Sequence, residues 1–206
     1  MKEHEILRLL MNNKFICSVS YPEAYRHLRD NKVAYDRMVS QLQPFGVNLV
    51  TLSDGEVYAG LNNIPSDSDR RAVVKQFNEI YHDIAPIVEM IACLSTADEG
   101  NVLTVGENLS QTELFLEANN NKHFASMLNE VSEITGASKK PNDEKVAALL
   151  ERLQKHEILK LVEPNKKIYR ATGKIGYIYD VFDYIAENIL DEPTEEIFAE
   201  QQGLGL

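Results

Sequence analysis

Basic side chains are the residues of this chain whose types and spacing fit a definite chemistry. Arg26, Arg29, Lys32 and Arg37 form one short series. Lys139, Lys140 and Lys145, continued by Arg152 and Lys155, form a second, and Lys166, Lys167 and Arg170 a third. Lysines and arginines near helix starts and turn tips contact phosphate oxygens, which positions nucleic acid without reading its sequence. Solubility alone also places lysines on exposed helix faces, so the same residues fit a plain solvated surface. Readout of base edges has few groups to draw on around the first series: Asn31, Gln41 and Gln43.

Enzyme chemistry finds little support. The chain has no HExxH, no GxGxxG after a strand, no GxxxxGK[ST] and no GxSxG. His4, His27, His82, His123 and His156 are scattered, with no Cys or carboxylate at ligand spacing, so neither metal nor cofactor is expected. Cys17 and Cys93 sit in apolar surroundings and read as small buried residues rather than nucleophiles. The carboxylate pairs Asp98-Glu99 and Asp143-Glu144 fall in loops or at helix starts, where the helix dipole accounts for them. No catalytic residue is expected.

The net charge of −11 over 206 residues argues at first sight against a nucleic-acid partner. It is unevenly spread. Residues 139–174 hold 10 bases and 5 acids, while 175–206 hold 8 acids and no base. The stretch 76–121 also holds 8 acids and no Lys or Arg. A basic segment thus lies between acidic ones, and the charge describes a division of surfaces.

Two cysteines cannot build a disulfide framework, and none is needed at this length. The start MKEHEILRLL carries charges where a signal peptide would be apolar. No run of about 18 apolar residues is present to span a membrane. These features predict a cytoplasmic protein with reduced thiols.

The elements that must position the basic residues follow from period and punctuation. Residues 2–12 crowd Ile6, Leu7, Leu9 and Leu10 on one side of a helix. A short extended stretch, Lys14 to Val19, follows. Ser20-Tyr21-Pro22-Glu23 predicts a helix start with Ser20 as cap. A third helix spans about Asn31 to Gln43, and Pro44 and Gly46 end it. Asp54-Gly55 between two β-rich runs predicts a hairpin over 47–61. Helix, short strand, helix, helix, hairpin is the layout of a winged helix, although an unrelated small α+β domain fits the same order.

Ser66 to Ser95 predicts a long helix, with Pro86 as the point where it would break. Its apolar stripe is Val73, Val74, Phe77, Ile80, Tyr81 and Ile84, then Ile87, Val88, Met90 and Ile91. Val102–Val105 is a strand candidate. Ser110-Gln111-Thr112-Glu113 is a capping box opening another helix. A helix over Lys122 to Ile134 ends at Gly136. A further helix carries Val146, Leu149, Leu150 and Leu153, capped by Asn142 or Asp143. The strands Ile158–Val162 and Ile168–Thr172 form a second hairpin. A last helix spans about Ile178 to Leu190, with Val181, Phe182, Ile185 and Ile189 on its apolar side. The expected class is α+β, mostly α, with tandem winged-helix domains, connecting helices and a C-terminal helix. The expected divisions are 1–64, 65–100, 101–190 and an acidic tail, 191–206.

The run Phe15-Ile16-Cys17 through Tyr21-Pro22-Glu23-Ala24-Tyr25-Arg26-His27-Leu28, with the Asp54-Gly55 hairpin ending in Val57-Tyr58, resembles the MukE/MksE-type subunits of bacterial condensins. The second half resembles them as well. Leu149-Leu150-Glu151-Arg152-Leu153 runs into Ile158-Leu159 and a hairpin ending Ile168-Tyr169-Arg170-Ala171-Thr172. The likeness rests on pattern and length, so no site residue is carried over from the family. The resemblance implies a kite subunit: a non-catalytic, homodimeric, tandem winged-helix protein that binds a kleisin and helps an SMC ATPase hold double-stranded DNA. It also implies a place at the nucleoid, in chromosome condensation and segregation or in plasmid defence.

Two other classes fit the same residues. A winged-helix transcriptional regulator would need a helix that reads sequence. A scaffold without DNA contact would be indifferent to charge reversal at Lys166 and Lys167.

Overall fold

Two three-stranded antiparallel sheets repeat one strand order in the computed structural model, which describes residues 1–62, 70–97 and 101–188. The chain is α+β and mostly helical. Its first half runs α1 (Glu3–Met11), β1 (Ile16–Cys17), α2 (Pro22–Asp30), α3 (Lys32–Leu42), β2 (Val47–Leu52) and β3 (Val57–Asn62). Its second half runs α4 (Arg70–Ala97), β4 (Asn108–Ser110), α5 (Gln111–Asn120), α6 (Lys122–Thr135), α7 (Asn142–Lys155), β5 (Leu159–Glu163), β6 (Ile168–Ala171) and α8 (Lys174–Asn188). In each half the hairpin's second strand lies in the middle, giving β1-β3-β2 and β4-β6-β5. The second half holds one more helix between its first strand and its hairpin than the first half does.

The β2–β3 hairpin pairs Val47 with Asn62 and Leu52 with Val57 in unbroken register. The turn at Ser53–Gly55 is a single 3₁₀ turn, as the Asp-Gly signal predicts. β1 contributes two residues, pairing Ile16 with Tyr58 and Cys17 with Val57. Ile6 and Leu10 of α1, Leu28 of α2, and Met38 and Leu42 of α3 close over the inner face of this sheet. Tyr58 is at the centre, its ring 5.8 Å from Tyr25 and 6.1 Å from Tyr35.

A second core joins α4 to the later elements. Ile84, Ile87, Ile91 and Leu94 keep helical spacing and pack with Phe124, Leu128, Leu149, Leu150 and Leu153. Tyr169 of β6 and Ile175 and Ile178 of α8 complete it.

Several expectations shift. Pro86 lies inside a continuous α4. The buried residues on either side, Ile84 and Ile87, are held by the second core, and that packing outweighs one missing backbone bond. Ser20 does not cap α2; Tyr21 holds the cap position without a side-chain bond. The Ser20 hydroxyl instead accepts from the Cys17 amide at 3.0 Å and donates to Phe15 O at 2.7 Å, closing the turn after β1. The strand expected at Val102–Val105 is a loop, and pairing falls on Asn108–Ser110 instead. β6 selects that segment, and the apolar residues of 102–105 bury Leu103 and half-bury Val105 against the second core. Pro141, not Asn142 or Asp143, precedes α7 as its cap residue. Asn142 turns its amide outward to Ala118 O and Asn119 Oδ1, at 3.3 and 3.2 Å. α8 starts at Lys174, ahead of the expected Ile178. The Ser110 cap holds, accepting from the Glu113 amide at 3.3 Å.

The side chains of Val73, Val74, Phe77, Ile80, Tyr81, Phe182 and Ile185, together with Ile189, Leu190 and the 191–206 tail, lie outside the described residues.

Candidate nucleic-acid interface

The first basic series is largely neutralised by neighbours. Arg29 donates twice to Asp30, at 2.7 and 3.2 Å, and lies 5.3 Å from the centre of the Tyr25 ring. That pairing holds the Asp30 carboxyl below its usual range. Lys32 is 3.4 Å from Asp36, and Arg37 is 3.3 Å from Glu3. Arg26 donates to Pro22 O of its own helix at 3.4 Å. All four are exposed, but three of them face a carboxylate, which weakens the field they offer a phosphate.

The second series divides. Lys139 is exposed in the turn before α7. Lys140 pairs with Glu144 at 2.9 Å, and that hydrogen bond raises its ammonium above the usual range. Lys145 is buried, its Nζ donating to Asn129 Oδ1 at 2.6 Å. It serves the α6–α7 contact and presents no charge to a ligand. Arg152 and Lys155 are exposed towards the end of α7.

The third series is the most projecting. Lys166 and Lys167 occupy the tip of the β5–β6 hairpin, both exposed. Lys167 has the left-handed backbone of a tight turn, φ 53°. Lys166 pairs with Glu163 at 2.9 Å. Arg170 lies lower on β6, donating to Asn108 Oδ1 at 2.7 Å.

The second and third series are not one cluster. Lys167 O accepts from the Gln111 amide at the start of α5, at 3.1 Å. Asn142, at the start of α7, bonds to Ala118 and Asn119 near the end of α5. The rise from Gln111 to Ala118 separates the two sites by about 10 Å. The exposed bases form a band along the second half, not a pocket.

Sequence reasoning missed a different basic group. Lys14, Lys160 and Lys174 knit the two halves together. Lys14 pairs with Glu157. Lys160 reaches Val19 O and Ser20 O, each at 3.0 Å. Lys174 donates to His156 O at 2.8 Å and lies 5.7 Å from the Phe15 ring centre. Burial lowers its ammonium below the usual range. Phe15 stacks obliquely on Tyr177, centroids 4.9 Å apart. Apart from Lys174 and His156, 18 positions apart, these partners are separated by over a hundred residues, so no local spacing reveals them.

Among the described residues no group of three or more His, Cys, Asp or Glu is placed to hold a metal ion. No described helix is long and apolar enough to cross a membrane. Both cysteines are buried.

The repeated sheet order and the contacts between the halves describe a protein built from two joined units. A family model for the condensin complex protein MksE matches residues 2–180, spanning both sheets and the seam. The chain belongs to the MksE family. It is therefore a condensin-like complex subunit, with partners in an SMC complex. The MksE match takes in all three basic series, from Arg26 to Arg170. No curated protein matches the chain at a significant level.

Proposed function

We propose that this MksE-family chain is the non-catalytic kite subunit of its SMC complex. In this reading it binds the kleisin as a homodimer and helps hold double-stranded DNA. Each half is a winged helix, with divisions at 1–64, 65–100, 101–190 and 191–206. The β5–β6 hairpin is the wing that touches DNA. The family match over residues 2–180 carries the reading. The exposed Lys166–Lys167 tip supports the DNA part, because a projecting lysine pair suits sequence-independent phosphate contact. Arg26, Lys139 and Lys140 are secondary contacts, and Lys145 is not proposed as one. The complex acts at the nucleoid, in chromosome condensation and segregation or in plasmid defence.

The test is co-expression with the kleisin and SMC subunits, followed by affinity purification and size-exclusion chromatography. A stable complex that retains DNA in a salt-sensitive, sequence-independent way is the expected result. A chain that elutes alone overturns the reading. Operator-like specificity that survives competitor DNA favours a transcriptional regulator instead.

A further inference from the structure

Among the described residues β4 is an edge strand, with β6 on one side and no strand on the other. Its register fixes which groups face outward. Ala171 N donates to Glu107 O, and Gln111 N donates to Lys167 O. These bonded pairs flank β4 and alternate with non-bonded ones, so Leu109 bonds to Tyr169. Asn108 and Ser110 therefore turn their amides to the open edge.

A groove of about 270 Å³ runs beside that edge. Leu94, Leu103 and Leu114 form its apolar floor, all buried. Glu107, Glu113 and Glu117 line its walls. Glu107 Oε2 accepts from Thr104 N and Oγ1, at 2.9 and 3.2 Å, which fixes that carboxylate in place. Among the described residues no Lys or Arg lines this groove, while Arg170 donates to Asn108 Oδ1, one of its lining residues, at 2.7 Å. A second cavity shares Asn108, Ser110 and Glu113 with it and is bordered by Lys166.

An unpaired edge recruits an extended chain through main-chain bonds, and the flanking side chains choose its character. Here an apolar floor between carboxylates selects alternating apolar and basic side chains. We propose that the β4 edge and its acidic groove dock an extended Lys/Arg-rich segment of a partner chain, added as a fourth antiparallel or parallel strand. This rests on the reading of the protein as a subunit of a larger complex. The occupant is a protein strand, since Glu107, Glu113 and Glu117 repel a nucleic-acid backbone from the groove itself.

The test uses the chain alone, so it stands apart from whether a complex assembles. A fluorescent Lys-Val-Lys-Val-Lys-Val peptide is titrated by polarisation, with the Glu-Val counterpart as control. Hydrogen exchange follows the Asn108 and Ser110 amides. Binding of the basic peptide only, with slowed exchange at both amides, is expected. The double variant Glu113→Lys/Glu117→Lys should weaken it about tenfold or more while melting like the parent. No binding, equal binding of the acidic peptide, or binding without protection at β4 overturns the proposal. So does protection that rises with concentration of the protein alone, which would assign the edge to a second copy.

Discussion

The Gly173 amide donates to Cys17 Sγ at 3.1 Å, across 156 positions of sequence. The same sulfur accepts from the Ser20 amide at 3.2 Å. Cys17 thus joins the first sheet to the turn between β6 and α8. The approach is close because residue 173 has no side chain. A Cβ there would lie 2.4 Å from Val57 Cγ2 and 2.8 Å from Cys17 Cβ. One turn along α8, a Cβ on Gly176 would meet Ser53 Oγ at 2.3 Å.

Gly173→Ala should therefore force the two halves apart or strain both. Overpacking of this kind costs about 1–3 kcal/mol. A urea titration should show the loss, and Val57→Ala in the same background should recover part of it by making room. Equal stability of Gly173→Ala and the parent would show that the seam is not close-packed.

Lys160 tests the polar side of the seam. Its ammonium satisfies two backbone carbonyls, Val19 O and Ser20 O. Lys160→Met keeps the stem and removes both bonds, at a cost of about 1 kcal/mol given the exposure of the site. Limited proteolysis should then cut the loop around Val19 faster than in the parent.

Alkaline pH should destabilise the protein through buried acids. Burial pushes the Cys93 thiol up to about 12, with Glu130 adding to the shift. Burial likewise raises the Tyr169 and Tyr179 phenols. A folded-state pKa above the unfolded one stabilises the native state below the unfolded value. For Cys93 that stabilisation is complete below 9.0 and is lost as pH rises to about 12. Lys174 acts oppositely, since burial lowers its ammonium and its contribution grows with pH. The urea midpoint should be flat up to about pH 9 and fall beyond it, and Cys93→Ala should flatten that fall.

The lysines separate binding from stability. Lys166→Glu/Lys167→Glu should leave the melting temperature unchanged and weaken DNA retention by the assembled complex. The slope of log affinity against log salt should drop by about 1–2. Lys145→Met should do the reverse. It strands Asn129 without its 2.6 Å donor and costs about 1 kcal/mol, with DNA retention unaltered.

The amino-acid sequence alone determined the local elements and their order. Helical spacing of Ile6 and Leu10, the Ser110 cap, Asp54-Gly55 and the Lys166–Lys167 turn each act within a few residues, and all appear in the fold. The exposed lysine pair was legible for the same reason. Elements whose partners are distant were not. β4 formed at Asn108–Ser110 because β6 pairs there, although Val102–Val105 has the stronger strand composition. Pro86 stayed helical because Ile84 and Ile87 are buried in a core built from α6 and α7. Lys145 looked like a phosphate ligand until α6 brought Asn129 to it. Cys17, Lys160 and Gly173 became a seam only when residues more than 140 positions apart met. Local sequence sets backbone preference at short range, whereas burial and pairing are decided by whichever segments the closed chain brings together.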